Sequence, residues 1–209
     1  MGFLLIAISE KMERINFFIR PIQLLLLILL LGSLSAQAQK TTIWIVNHAE
    51  EDTIVKDGGL TAIGQQRATD LVKALKHEGI EAIFITKQKC SAQTADPLAS
   101  RDKILPRVNT DSLKKFVQIL TRNFAGKNVL VISNPATIIQ LLNLLGADSP
   151  FDGLDQGDHD QLFYVTIKDS GDVTSGVRYF GATNHVNPIP QQYILDNFNP
   201  NYTPIISGH

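Results

Sequence analysis

The chain of 209 residues has 20 acidic and 19 basic side chains, and 44% of its residues are hydrophobic. A formal net charge of -1 excludes partners selected by bulk charge, such as nucleic acid or an anionic membrane surface. The length is sufficient for one globular domain with a full hydrophobic core.

Residues 1–38 have the arrangement of a signal peptide. Two arginines precede the apolar block at 22–31, and the small residues Ala36 and Ala38 follow it as a cleavage site. The block is shorter than the ~20 residues that a membrane-spanning helix needs. We therefore expect cleavage after Ala38 and a periplasmic or secreted protein that has left the membrane, with Met12 as an alternative start of translation.

The remaining chain alternates buried apolar runs with helical patterns, which predicts an α/β domain over residues 39–181. Strands are predicted at 42–47, 82–86, 128–133, 161–167 and 176–180. The third of these runs lacks alternation, which implies helices on both faces of a mostly parallel sheet and hence three α/β/α layers. The Asn- and Pro-rich segment 182–209 is predicted to be an irregular, loosely held tail.

Three helices have recognisable ends. The first is predicted over residues 60–79, with Thr61 as the N-cap and Gly79 as the terminator. The second is predicted to begin at Thr110 or Asp111. The third begins at Asn134, where an Asn before a proline is the usual N-cap arrangement, and it ends at Gly146.

Four segments follow one another in a specific order. They are NHAE after the first strand, LTAIGQQRA, CSAQTADPLA, and a buried strand that runs into SNPATIIQLLNLLG. In order and spacing these segments resemble the histidine phosphatase superfamily, whose fold is phosphoglycerate mutase-like. The resemblance implies that fold for most of residues 42–167, and it implies neither a metal nor a cofactor.

The resemblance also implies a phosphate pocket of four residues. The position of the histidine that accepts the phosphoryl group falls on His48. The positions of two phosphate-binding arginines fall on Asn47 and Cys90, and that of a second histidine falls on Asn134. Three of the four pocket residues are therefore replaced in this chain.

Phosphoryl transfer depends mainly on positioning and on stabilising negative charge, which arginine does with a permanent charge and a two-pronged donor. Neither Asn47 nor Cys90 supplies a fixed cation. We therefore expect a catalytically impaired protein whose cleft binds a less charged small molecule or a protein partner. The alternative is an active phosphomonoesterase in which other cations substitute, with four candidates: Lys87, Lys89, Arg101 and Arg107.

Other polar residues have two interpretations each. Glu50 and Glu51 lie where an acid could protonate a leaving group, although adjacent carboxylates in a loop are commonly solvated. Cys90 is either a small buried hydrophobe or the partner of His48 in a nucleophilic pair. His159, in the GDHD segment, is interpreted as a turn residue or as part of a pocket rim.

Overall fold

The computed structural model describes residues 40–54, 57–186, 188–191, 193 and 195. The predicted signal peptide and the part of the predicted tail that follows residue 195 lie outside these residues. Cleavage and export therefore stay predictions. Within the described part of the chain, no helix has the length and apolar character needed to cross a membrane.

A six-stranded sheet forms the centre of the domain. Its strands are β1 (Lys40–Asn47), β2 (Ala82–Ile85), β3 (Arg107–Val108), β4 (Asn128–Ser133), β5 (Gln161–Lys168) and β6 (Val173–Tyr179). Their order across the sheet is β3-β2-β4-β1-β5-β6. The first four pair in parallel, whereas β5 and β6 join as an antiparallel pair at one edge. The predicted mostly parallel sheet is confirmed.

Helices cover both faces of this sheet. They are α1 (Ala62–Ala74), α2 (Lys89–Asp102), α3 (Leu113–Gln118, prolonged by a π-helical turn, Ile119–Asn123) and α4 (Pro135–Leu144). Alternate residues of β1 point to opposite sides: Ile43 and Ile45 pack with α3 and α4, and Trp44 and Val46 pack with α1 and α2. The three-layer α/β/α architecture is therefore confirmed, with one apolar core on each side of the sheet.

The structure corrects several predicted boundaries. The first helix ends at Ala74, and Gly79 instead takes a left-handed conformation (φ 57°) after an intervening turn. The second helix begins after Ser112. The last strand starts at Val173, three residues early, because its pairing with β5 continues to Ile167.

Helix α2 is an element that sequence reasoning missed. No helix is predicted between the strand at 82–86 and Thr110, but Cys90 is the second residue of a 14-residue helix. Pro97 lies inside that helix, and a proline there removes a backbone donor and usually indicates a boundary. The consequence is that Cys90 lies at the first turn of a helix rather than on a strand.

Candidate functional site

The candidate site lies where β1 and β4 end side by side. Asn47 pairs with Ser133 in the parallel ladder, and the backbone N–H of His48 donates to the carbonyl oxygen of Ser133 at 3.0 Å. Asn134 follows β4 at the same edge. The carboxyl ends of parallel strands are the usual place for ligand sites in open α/β sheets.

His48 is buried and has a defined tautomer. Its Nδ1 lies 3.0 Å from the carbonyl oxygen of Ala49. A carbonyl oxygen only accepts hydrogen bonds, so Nδ1 carries the proton, and in the neutral ring Nε2 then has the free lone pair. Such a nitrogen can act as a nucleophile or as a metal ligand.

Glu51 and Cys90 place a carboxylate and a thiol near this ring. A ring nitrogen of His48, a carboxylate oxygen of Glu51 and Sγ of Cys90 all lie within 4.8 Å of one another. Burial raises the pKa of the Cys90 thiol to about 12, with a hydrogen bond to Glu51 and the Glu51 charge adding to the effect. The thiol is neutral at physiological pH, which argues against a Cys-His nucleophilic pair.

Asn47 and His159 contact each other from distant parts of the chain. Nδ2 of Asn47 donates to the carbonyl oxygen of Asp158 at 3.1 Å, and Nδ1 of His159 donates to the carbonyl oxygen of His48 at 2.8 Å. Because His159 Nδ1 carries a proton, its 3.2 Å approach to Asn47 Nδ2 is a contact between two donors. The amide nitrogen of Asn47 is thus directed at backbone, whereas its buried Oδ1 has no hydrogen-bond partner among the described residues.

The GDHD segment lies outside helices and strands, as predicted, but its side chains are buried. Asp158 and Asp160 are 1% exposed, and the His159 ring centroid lies 6.0 Å from that of His48. Burial lowers the pKa of His159, which favours its neutral form. Asp158 accepts from the backbone of Val186, and Asp160 from that of Asn184. The start of the predicted loose tail is therefore firmly attached.

Glu50 forms a buried ion pair that sequence reasoning missed. Arg67, 3% exposed, donates through Nε to both Glu50 oxygens at 2.8 and 2.9 Å, and through Nη2 at 2.7 Å. Burial alone would raise the pKa of Glu50, but hydrogen bonds from Arg67 and Asn184 outweigh it and the pKa is lowered. An ionised, paired carboxylate does not fit the predicted role of Glu50 as an acid.

The other hydrogen bonds of Arg67 go to the segment that follows β6. Its Nη1 donates to the carbonyl oxygens of Phe180 and Ala182 at 3.3 and 3.0 Å. An arginine on an α1 face that otherwise buries small and apolar residues was the available sequence signal, because a buried arginine needs a partner. Arg67 holds the segment after β6 against α1.

The four basic residues that could substitute for the two arginines have different surroundings. Arg101 pairs with the neighbouring aspartate at 2.6 Å, and Arg107 lies over an aromatic ring with its guanidinium carbon 5.3 Å from the centroid. Lys87 and Lys89 are exposed at the beginning of α2. Two of the four are thus engaged away from His48.

Asn134 is explained by its local role. Its Oδ1 accepts a hydrogen bond from the backbone N–H of Thr137 at 3.0 Å, which confirms the predicted N-cap of α4. A cap of this kind contributes about 1 kcal/mol to stability. The side-chain oxygen is therefore occupied by the helix end.

A cleft of about 250 Å³ extends from Ser133 between β2, β4 and the helices on one face. Its lining is mainly apolar and hydroxylic, with residues such as Phe84, Thr86, Phe116 and Thr137. Asp111 is the only acidic or basic residue among those that line it. The cleft therefore presents no positive charge to a ligand.

Gly64 allows α1 to pack directly on the segment that follows His48. A Cβ at this position would lie 2.2 Å from the carbonyl oxygen of Glu50, a backbone atom that cannot turn aside. We predict that Gly64→Ala lowers the free energy of unfolding by roughly 1 to 3 kcal/mol or more, measured by urea denaturation. Gly153→Ala, where a Cβ meets nothing within 4 Å, is the matched control. Equal stability of the two variants would contradict the prediction.

Comparisons with known proteins establish the class of fold. Neither the protein-family models nor the curated proteins gave a match. Among solved structures, a mycobacterial glucosyl-3-phosphoglycerate phosphatase aligns with a TM-score of 0.52 at 12% identity, over 69% of this chain and 100% of its own. The α-ribazole phosphatase of Shigella flexneri aligns at 0.51 and 13%, over 68% and 96%.

The protein histidine phosphatase SixA, in complex with tungstate, aligns with a TM-score of 0.50 at 19% identity, over 68% of this chain and 96% of its own. The described chain thus spans nearly the whole domain of these proteins. It has the phosphoglycerate mutase-like fold of the histidine phosphatase superfamily. The resemblance seen in the four sequence segments is confirmed at the level of the fold.

Proposed function

We propose that this chain is an exported histidine phosphatase-like protein that does not turn over phosphomonoesters and that binds a ligand in the cleft beside Ser133. One observation carries the proposal: a carboxylate and a neutral thiol, from Glu51 and Cys90, lie within 4.8 Å of the His48 ring. In this proposal His48 keeps the position of the phosphoryl-accepting histidine, but its surroundings do not favour an anion.

The charge at the site opposes phosphate binding. A phosphomonoester carries close to two negative charges, and like charges ~4 Å apart interact by about 4 kcal/mol at an effective dielectric constant of 20. Glu51 would add such repulsion where the resemblance implies arginines. The charge of the nearby buried arginine, Arg67, is neutralised by Glu50, and its Nη1 donates to backbone carbonyls.

The cleft beside Ser133 supports a ligand of low charge. Its apolar walls and hydroxyl groups suit an uncharged or weakly cationic molecule, or an apolar side chain of a protein partner. Asp111, which pairs with Lys115 at 2.6 Å, adds a carboxylate that would favour a hydrogen-bond donor. Sites of this kind commonly combine an apolar lining with a few polar groups that orient the ligand.

An active phosphomonoesterase is the second candidate. The observation in its favour is the tautomer of His48, whose Nδ1–H bond to Ala49 leaves Nε2 available for attack. The structural neighbours include proteins named as phosphatases. In this case the exposed Lys87 and Lys89 would have to supply the positive charge.

Turnover by the purified protein decides between the two. We expect no hydrolysis of p-nitrophenyl phosphate above background from pH 4 to 8, and no acid-labile phosphate on His48 after incubation with substrate. Hydrolysis that disappears in His48→Ala would overturn the proposal, and its further loss in Lys87→Ala/Lys89→Ala would identify the substituting cations. Mass spectrometry of the same sample tests export, since cleavage after Ala38 leaves Gln39 as the first residue.

A further inference from the structure

Three potential metal ligands of different chemistry converge in the candidate site. His48 follows β1, Glu51 lies in the loop after it, and Cys90 is in the first turn of α2. One nitrogen, one oxygen and one sulfur ligand atom from these residues lie within 4.8 Å of one another. In the part of the chain that the structure describes, this is the one group of three such residues that is so close.

The donor set suits zinc among the common divalent cations. Zn²⁺ accepts imidazole nitrogen, thiolate sulfur and carboxylate oxygen, whereas Mg²⁺ and Ca²⁺ select oxygen alone. With bonds of about 2.0 to 2.3 Å, a tetrahedral zinc holds its ligand atoms roughly 3.5 Å apart. The side chains therefore need to approach by about 1 Å, and Glu51, which is only half-buried, can rotate to do so.

Hydrogen bonds beyond the three ligands hold the site together. Thr94 is buried, and its Oγ1 donates to the carbonyl oxygen of Cys90 at 2.7 Å while accepting from the N–H of Ala49 at 2.9 Å. One hydroxyl thus ties the helix that bears the cysteine to the strand end that bears the histidine. Glu51 is held by a β-bridge to Leu60.

The Nδ1–H bond from His48 to the Ala49 carbonyl orients the ring in a way that suits a metal ligand. Histidines that bind metals usually donate their other ring N–H to a carbonyl or carboxylate, which fixes the ring and leaves the remaining nitrogen free to coordinate. Here that contact orients the ring of a histidine that already has thiol and carboxylate groups beside it.

We propose that His48, Glu51 and Cys90 bind a divalent cation of the zinc class, with a fourth position left for water. As the metal–sulfur bond forms, the thiol proton of Cys90 passes to solvent. This inference rests on the proposed function, because a cation held here by a thiolate and a carboxylate replaces a pocket for a phosphate dianion. The pocket would then have exchanged its preference for an anion for a preference for a cation.

Cobalt substitution tests the site directly. The full-length protein is stripped with a chelator and titrated with Co²⁺, and its visible and near-ultraviolet spectra are recorded before displacement with Zn²⁺. We expect one Co²⁺ per chain and a thiolate-to-cobalt charge-transfer band in the near ultraviolet. The visible cobalt absorption and this band should both disappear when Zn²⁺ is added. A folded protein that binds no Co²⁺, or binds it without the thiolate band, would overturn the inference.

Substitutions locate the bound ion. Removing a residue that supports metal ligands commonly weakens affinity 10- to 100-fold, so loss of a ligand in Cys90→Ser or Glu51→Gln is expected to weaken it at least about 100-fold. His77→Gln and Glu81→Gln change an exposed histidine and an exposed carboxylate and should leave binding unchanged. Unaltered affinity in Glu51→Gln and Cys90→Ser would mean an adventitious ion only. If Cys90→Ser does not fold, the affinity of Glu51→Gln and the thiolate band of the unaltered protein still show whether the ion is bound at this site.

Phosphatase assays on stripped and loaded protein separate this inference from the proposed function. Absence of both metal binding and turnover would overturn the metal site alone. Turnover by the stripped protein that depends on His48 would overturn the proposed function, whereas the spectra would report on the metal site independently.

Discussion

A chain that carries Asn47→Arg, Cys90→Arg, Asn134→His and Glu51→Ala is expected to hydrolyse p-nitrophenyl phosphate, which the unaltered protein is expected not to do. The first three changes restore the residue types that the resemblance implies, and the fourth removes the carboxylate beside His48. One arginine directed at a phosphoryl transition state contributes ~10³ to 10⁵ in rate. Allowing for non-additivity, we expect kcat/KM to rise by at least about 10³-fold.

The same variant with His48→Ala is the control and should be inactive. Cys90 is buried, so an arginine there must extend into the site, and circular dichroism should first establish that the variant is folded. A version that retains Cys90 but carries the other three changes keeps the prediction testable if the full set misfolds. Folded variants that bind tungstate or phosphate without any turnover would contradict our account of why His48 is inactive.

Replacing Arg67 with methionine is expected to lower the free energy of unfolding by roughly 3 to 5 kcal/mol, as is usual when one partner of a buried ion pair is removed. The substitution leaves the Glu50 carboxylate charged and largely buried, and it removes the donor to the carbonyl oxygens of Phe180 and Ala182. Urea denaturation followed by circular dichroism measures the change. Arg67→Met/Glu50→Leu should recover much of the loss, since no uncompensated charge remains.

Lys73→Met is the matched control for Arg67→Met. Lys73 lies on the same helix and pairs with Asp70, but its side chain is 70% exposed, and exposed pairs contribute about 0 to 1 kcal/mol. Similar losses in both variants would show that burial of the Arg67 pair has no special effect on stability.

The lowered pKa of Glu50 predicts that the stability of the fold depends on pH. Because the pKa of Glu50 in the folded state lies below its ordinary value of 4.5, its ionised form stabilises the fold above that pH. This contribution is lost as the pH falls through the folded-state pKa. Glu50→Gln should therefore be less stable than the unaltered protein near pH 7, and the difference should shrink below about pH 4.5. A difference that is constant from pH 7 to pH 3 would contradict this assignment.

Elements governed by short-range patterns could be predicted from the sequence. Continuous apolar runs predicted three of the four parallel strands, and β4 was placed at its observed bounds, Asn128–Ser133. The two-residue strand β3 was missed, because it is too short and too exposed to give an apolar run. Thr61 and Asn134 were predicted as N-caps from their residue types and positions. In the structure each side chain accepts a hydrogen bond from a backbone N–H three residues away. The sequence also indicated the phosphoglycerate mutase-like fold and drew attention to His48.

The surroundings of His48 were decided by tertiary structure. Glu50 and Arg67 are 17 residues apart and His159 is 111 residues from His48, so no local pattern could show that these groups meet. Helix α2 brings the Cys90 sulfur to Glu51, although the sequence pattern gave no helix there. The sequence by itself determined most of the strands and the caps, and it predicted the replacement of the phosphate-binding residues. Only packing across the sheet determined which charges remain beside His48, because that depends on contacts between distant segments.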